Sequence, residues 1–193
     1  MNPVSSPLGT EKAEPGWVGE VLSYWFEALG EEHWFDPSRE VDERIRELFL
    51  ALHEQLATGQ LAELATSREM LAAVIVLDQF SRNLFRGTPR AYAADPMARR
   101  LASTALSRGF DANLTAEQKQ FLYLPFQHSE DAQDQARSLA LFEKLGNERW
   151  TQYAQAHKAI IDRFGRFPHR NQILGRHSSA VEIASLQEPM GSF

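Results

Sequence analysis

The chain has 193 residues, a formal charge of −6, a pI near 5.5 and no cysteine. Disulfides, thiolate metal sites and cysteine nucleophiles are thereby excluded, and the acidic balance speaks against general nucleic-acid binding, whose affinity comes from many phosphate contacts. At this length one domain is the expectation, able to bury roughly 70% of the surface its unfolded chain exposes.

The opening MNPVSSPLGTEKAEPG has neither a basic n-region nor an apolar h-region, so residues 1–15 are read as a loose tail rather than a signal peptide. Residues 17–29 then place Val21, Leu22, Trp25, Phe26 and Leu29 at helical spacing. Asp36-Pro37 predicts the start of a second helix, with Asp36 as N-cap and Pro37 at the first helical position. Val41, Ile45, Leu48, Phe49, Leu52 and Leu56 form its apolar stripe, and Gly59 ends it. A third helix runs from about Ser67 to Phe85 and contains MLAAVIVL at 70–77, far short of the roughly 20 apolar residues of a membrane span. No membrane partner is expected, and a cytoplasmic location is.

Asp95-Pro96 repeats the Asp-Pro start, with Gly109 closing that helix. Thr115 and Gln118 make a capping box for a helix expected to yield near Pro125. Ser129 is the expected cap of the next, with Glu130 and Asp131 in its first turn and Gly146 at its end. Asn147 opens a helix that Gly165 stops, and Ser179 with Glu182 caps a last short one, so residues 16–187 form the domain and 188–193 a short tail. No alternating run of β-branched residues competes. The fold class is all-α, with about eight helices whose short connections predict antiparallel neighbours.

That geometry brings distant motifs together. Counting back from the turn at Gly146-Asn147, Glu130 lies level with residues 162–163, so His128, Glu130 and Asp131 share one end of a hairpin with Arg163, Arg166 and His169. RFGRFPHRN at 163–171 is the most basic stretch: between Lys158 and Arg176 five basic residues face the single Asp162, a net +4 in an acidic chain. Arginine forks match carboxylates, so a structural clasp onto Glu130 and Asp131 is one reading. The arginine surplus points the other way, to a bound phosphate or carboxylate. A second polar stripe lies in LDQFSRNLFRG at 77–87, where Asp78, Arg82 and Arg86 at four-residue spacing would share a helix face beside Gln79 and Asn83.

LDQFSRNLFRG, FLYLPFQHSED at 121–131, FGRFPHRN at 164–171 and LGRHSSAVE at 174–182 resemble the family called domain of unknown function 924, and VLSYWFEAL at 21–29 with HWFDP at 33–37 is similar to that family's opening pattern. The resemblance spans about residues 18–186 and implies a compact, tetratricopeptide-repeat-like helical array; it implies no reaction. At Ser179 the family often carries threonine, and either hydroxyl can cap a helix. The repeat-like label rests on this resemblance, because no 34-residue period is legible in the chain.

Three functional readings follow. The first is a small anionic ligand held by Asp78, Gln79, Arg82, Asn83, Arg86, Arg163, Arg166, Arg170, Asn171 and Arg176. The second is an interaction scaffold for an acidic peptide or a C-terminal carboxylate. The third is a hydrolase using His128, Glu130, Asp131 and His169 as acid–base groups, or these with His157 around a metal. The spacing of that set is poor for metal and the arginines oppose one, so no metal or cofactor is assigned. Arg170→Ala is expected to leave folding nearly intact while removing anion binding.

Overall fold

A computed structural model describes residues 13–60 and 64–191 of the chain. Residues 1–12 and 192–193, most of the expected N-terminal tail and the end of the C-terminal one, lie outside the described residues. Glu14, near the end of the N-terminal stretch, pairs with Arg68 at 2.9 Å.

Every regular element among the described residues is helical, as the apolar periodicity requires. Helix α1 (Gly16–Ser23) continues into wide i→i+5 turns over Tyr24–Leu29, and α2 spans Arg39–Ala57. Helix α3 (Ser67–Ile75) passes through a second wide turn, Val76–Phe80, into α4 (Ser81–Leu84). The remaining helices are α5 (Arg90–Ala93), α6 (Asp95–Ser107), α7 (Ala116–Gln127), α8 (Ala132–Leu145), α9 (Glu148–Phe164) and α10 (Ala180–Ser185).

The centre of the molecule is α3. Residues 70–77 are buried on every side, the behaviour of a helix that is apolar all round. Helices α1, α6 and α7 pack around it, and α2 covers its continuation. Trp25 seals one end, edge-on to Phe80 at 5.5 Å and to Phe121 at 5.3 Å. Helices α8 and α9 form the hairpin that the Gly146-Asn147 turn predicts. Gly146 takes a φ of +73°, which a residue without Cβ adopts freely, and the Asn147 side chain accepts from the Trp150 N–H. Ile160, Ile161 and Phe167 make a small apolar cluster at the far end of this hairpin, beneath the polar site.

Three helix boundaries differ from expectation. Helix α2 is capped by Ser38, two residues after Asp36, because Trp34 and Phe35 pack on Phe121 and carry the chain through a bend first. Helix α7 does not yield at Pro125 but runs two residues past it to Gln127, and Gln135 Nε2 bonds the carbonyls of Gln127 and Ser129 just beyond. Helix α8 is capped by Asp131, whose Oδ1 accepts from the N–H groups of Gln133 and Asp134 at 2.8 and 3.1 Å. Ser129 instead donates to Asp134 and accepts from Arg99.

Candidate functional site

Asp78 interrupts the buried run of α3, inside the wide turn over Val76–Phe80, and is 0% exposed. A carboxylate so placed is tolerated only if donors saturate it. Gln79 Nε2 donates to Oδ2, Arg82 Nη1 lies 3.3 Å from Oδ1, and His128 Nδ1, from the end of α7, lies 2.9 Å from both oxygens. Burial pushes the Asp78 carboxyl up, but Arg82 and His128 outweigh it and its pKa settles at about 2.

Arg82 reaches across to Asp95, at the start of α6, with a two-pronged fork of 3.1 and 3.2 Å. Asp95 is therefore an ion-pair partner and not the cap its position before Pro96 suggests. Its Oδ2 also faces Arg170 Nη1 at 3.5 Å. Arg170 lies on the ring of Tyr92 (4.6 Å to the centroid) and on that of Phe167 (4.7 Å). It is 7% exposed, and its buried Nε has no partner among the described residues. Burial and the neighbouring Arg82 charge push its pKa down.

Three histidines complete the cluster. The rings of His128 and His157 are 6.2 Å apart, His157 is 5.6 Å from Phe167, and Phe167 is 5.5 Å from His169. All three titrate below the ordinary histidine range: burial is the leading cause for each, with Arg82 adding to it at His128, His128 at His157, and Arg170 at His169, which falls to about 4. His128 uses Nδ1 on Asp78, no described residue bonds its Nε2, and the side chain keeps 15% exposure.

The remaining arginines of the expected site each face an acid. Arg176 forks onto Glu130 at 2.8 and 3.0 Å, and Glu130 also accepts the Phe167 N–H at 2.8 Å, which joins the HSED and FPHRN segments as the hairpin count predicts. Arg176 and Phe167 together outweigh the effect of burial, so the Glu130 pKa is lowered. Arg166 forks onto the buried Glu182, which Asn171 and the Ser179 N–H also approach. Arg163 pairs with Glu188 on the surface.

The 77–87 stripe divides. Asp78, Gln79 and Arg82 turn inward, while Asn83 and Arg86 both bond Asp42 of α2. Those two residues line a separate cavity of about 570 Å³ that also has Arg39, Arg46 and Arg90 on its wall. Tyr92, Asp95 and Phe167 join the inner cluster without having been candidates. The Asp-Pro pattern that suggested a helix start was the only trace of Asp95 in the sequence.

Among the described residues no group of three or more His, Asp or Glu side chains is arranged to hold a metal ion. Asp131 is spent on its helix cap and Glu130 on Arg176 and Phe167, so the five-residue ligand set does not assemble. No helix among the described residues is long and apolar enough to cross a membrane.

No curated protein matches this chain. Among solved structures it is similar to that of a protein of unknown function, ATU0120 from Agrobacterium tumefaciens, at 38% identity and a TM-score of 0.85 over 89% of this chain and 97% of that one. The family model described as bacterial protein of unknown function (DUF924) matches residues 21–190, which contain every residue of the site above, and the chain belongs to that family.

Proposed function

We propose that this protein binds a small molecule bearing a carboxylate or phosphate at the cluster of Asp78, Arg82, His128, His169 and Arg170, with His128 as the group that exchanges a proton with it. The condition of Arg170 carries the reading. Its nearest carboxylate stands 3.5 Å away and is already held by the Arg82 fork, and its buried Nε has no acceptor. A guanidinium taken out of water needs more than that, and the oxygens of an incoming anion would supply it. His128, oriented by Asp78 and with its pKa lowered by burial, has the form of a general base.

A thermal-shift screen against phosphate, sulfate, sugar phosphates, nucleotides and carboxylates tests this. One anion class should stabilise the fold, by about 2.7 kcal/mol at a hundredfold excess over its dissociation constant. Arg170→Gln should abolish the shift, whereas Arg163→Gln, which breaks only the surface pair with Glu188, should keep it. A screen without a shift in any class overturns the reading. The expectation that Arg170→Ala would spare the fold no longer stands: a side chain this buried and stacked on two rings stabilises what it touches, so binding is to be read only on variants shown to be folded.

The scaffold reading draws on the separate cavity, where Arg39, Arg46, Arg86 and Arg90 face Asp42 and Glu43. Arg46 bonds the Leu84 carbonyl rather than an acid. An acidic peptide would bind there by charge; fluorescence anisotropy with a labelled oligoglutamate, weakened by Arg46→Ala, is the test.

A further inference from the structure

The hydrogen positions around Asp78 constrain what else the ligand must carry. Every neighbour of the Asp78 carboxylate is a donor: Gln79 Nε2, Arg82 Nη1 and His128 Nδ1. The carboxylate can only accept, so the ring hydrogen of a neutral His128 stays on Nδ1. In the neutral ring Nε2 is then an acceptor, with no donor to it among the described residues, on a side chain that keeps 15% exposure. Besides the buried Nδ1 of His169, a further incomplete group in the cluster has the opposite character. Arg170 holds only N–H donors, with Nη1 3.5 Å from its nearest carboxylate oxygen and Nε unbonded. His157 and Phe167 bridge the two groups, ring to ring at 5.6 Å, with His128 6.2 Å to one side and the Arg170 guanidinium 4.7 Å to the other.

A ligand that satisfies both groups cannot be a bare anion. We infer that the ligand of this site carries a hydroxyl or an amine N–H beside its anionic group, as a hydroxylated or aminated carboxylate or organic phosphate does. The donor goes to His128 Nε2 and the anion to Arg170. This rests on the anion-site reading above and narrows its chemical class. Where a site is built to bond a hydroxyl, the analogue lacking it leaves the partner group dry and unpaired and is rejected strongly. A donor on His128 is also where a general base would take its proton, so the specificity group and the proton acceptor are one atom.

Calorimetry of the full chain with two matched pairs tests this: lactate against propionate, and glycerol 3-phosphate against propyl phosphate. The hydroxylated member of at least one pair should bind about tenfold more tightly or better. His128→Phe, once shown to be folded, should bind the two members of each pair equally. Nitrogen-15 spectra of the histidine-labelled protein provide a readout that needs no substitution: His128 Nε2 should start as an unprotonated nitrogen and shift with lactate or glycerol 3-phosphate but not with the deoxy partner. Equal binding within both pairs, or a doubly protonated His128 at pH 7, overturns the inference and leaves the anion site standing. Absence of binding by all four probes, together with a flat anion screen, removes the site itself.

Discussion

At the scale of single residues, Asp78 decides how the site is built. An aspartate at full burial is costly in itself, and here the Arg82 guanidinium, a His128 ring N–H and a glutamine amide offset that cost. Removing it leaves Arg82 with Asp95 alone and His128 without its anchor. Asp78→Ala should therefore destabilise the protein by about 3–5 kcal/mol, a melting-temperature drop of roughly 10 °C for a chain of this size. Asp42→Ala breaks the Arg86 fork, whose guanidinium side chain is 44% exposed, and should cost about 1 kcal/mol or less. Paired thermal melts of the two variants check this; equal losses would mean that burial is not what gives the Asp78 cluster its weight. Asp78 and Arg82 were legible as a pair from their four-residue spacing. Burial was not, because a charged stripe on a helix reads the same whether it faces water or another helix. The arginine surplus of the 158–176 stretch was real as a count along the chain. In the fold, Asp95, Glu182 and Glu188 come from elsewhere in the sequence and face three of those arginines, and Arg170 is left as the under-compensated one.

At the scale of elements, the helix starts show where local rules prevail and where packing overrides them. The capping boxes of Thr115–Gln118 and Ser179–Glu182 form as their spacing predicts, since both partners lie within one turn and need nothing from the rest of the molecule. Ser129 looked equally suitable as a cap but is drawn into bonds with Arg99 and Asp134, and Asp131 takes over two positions later. Asp131→Ala should cost about 1 kcal/mol through the loss of two backbone donors' acceptor. Its signature should be faster hydrogen exchange at Gln133 and Asp134, with the amides of α9 unchanged. Accelerated exchange throughout α8 and α9 would instead assign Asp131 a role in holding the hairpin. The wide turn over Val76–Phe80 belongs to the same scale. It takes one more residue than a regular turn, so positions before and after it change face. Asp78 and Arg86, eight residues apart and nominally in line, point to different partners, His128 and Asp42, because α4 ends at Leu84 and Arg86 lies beyond it. Nothing in the composition of VLDQF announces that turn.

At the scale of the whole molecule, the buried histidines give stability a dependence on pH. His53, His128, His157 and His169 all titrate below 6.5 in the folded state, burial being the leading cause for each. Below 6.5 the unfolded chain therefore binds more protons than the folded one, so acid favours unfolding. Stability from this source is complete above pH 6.5 and drains as pH falls towards 4, at up to about 1.4 kcal/mol per pH unit for each histidine. Asp78 and Glu130, whose pKa values are lowered, lose their contribution only at more acid pH. Melting temperatures should be level from pH 8 to 6.5 and decline from there to pH 4; a decline that starts only below pH 4.5 would contradict the burial of the histidines.

The sequence by itself determined the helical class, most helix ends, the membership of the HSED and FPHRN segments in one hairpin end, and the residue types of the site. These follow from 3.6-residue periodicity, from capping chemistry within a turn and from the length of a connection, all of which act locally. Only the tertiary structure decided which arginine is left without a close carboxylate of its own, that Asp95 and Tyr92 belong beside it, and that Asp78 orients His128 across 50 positions of chain. Those outcomes depend on which carboxylate reaches which guanidinium once water is excluded. That competition is resolved by packing around α3 and leaves no trace in the order of the residues.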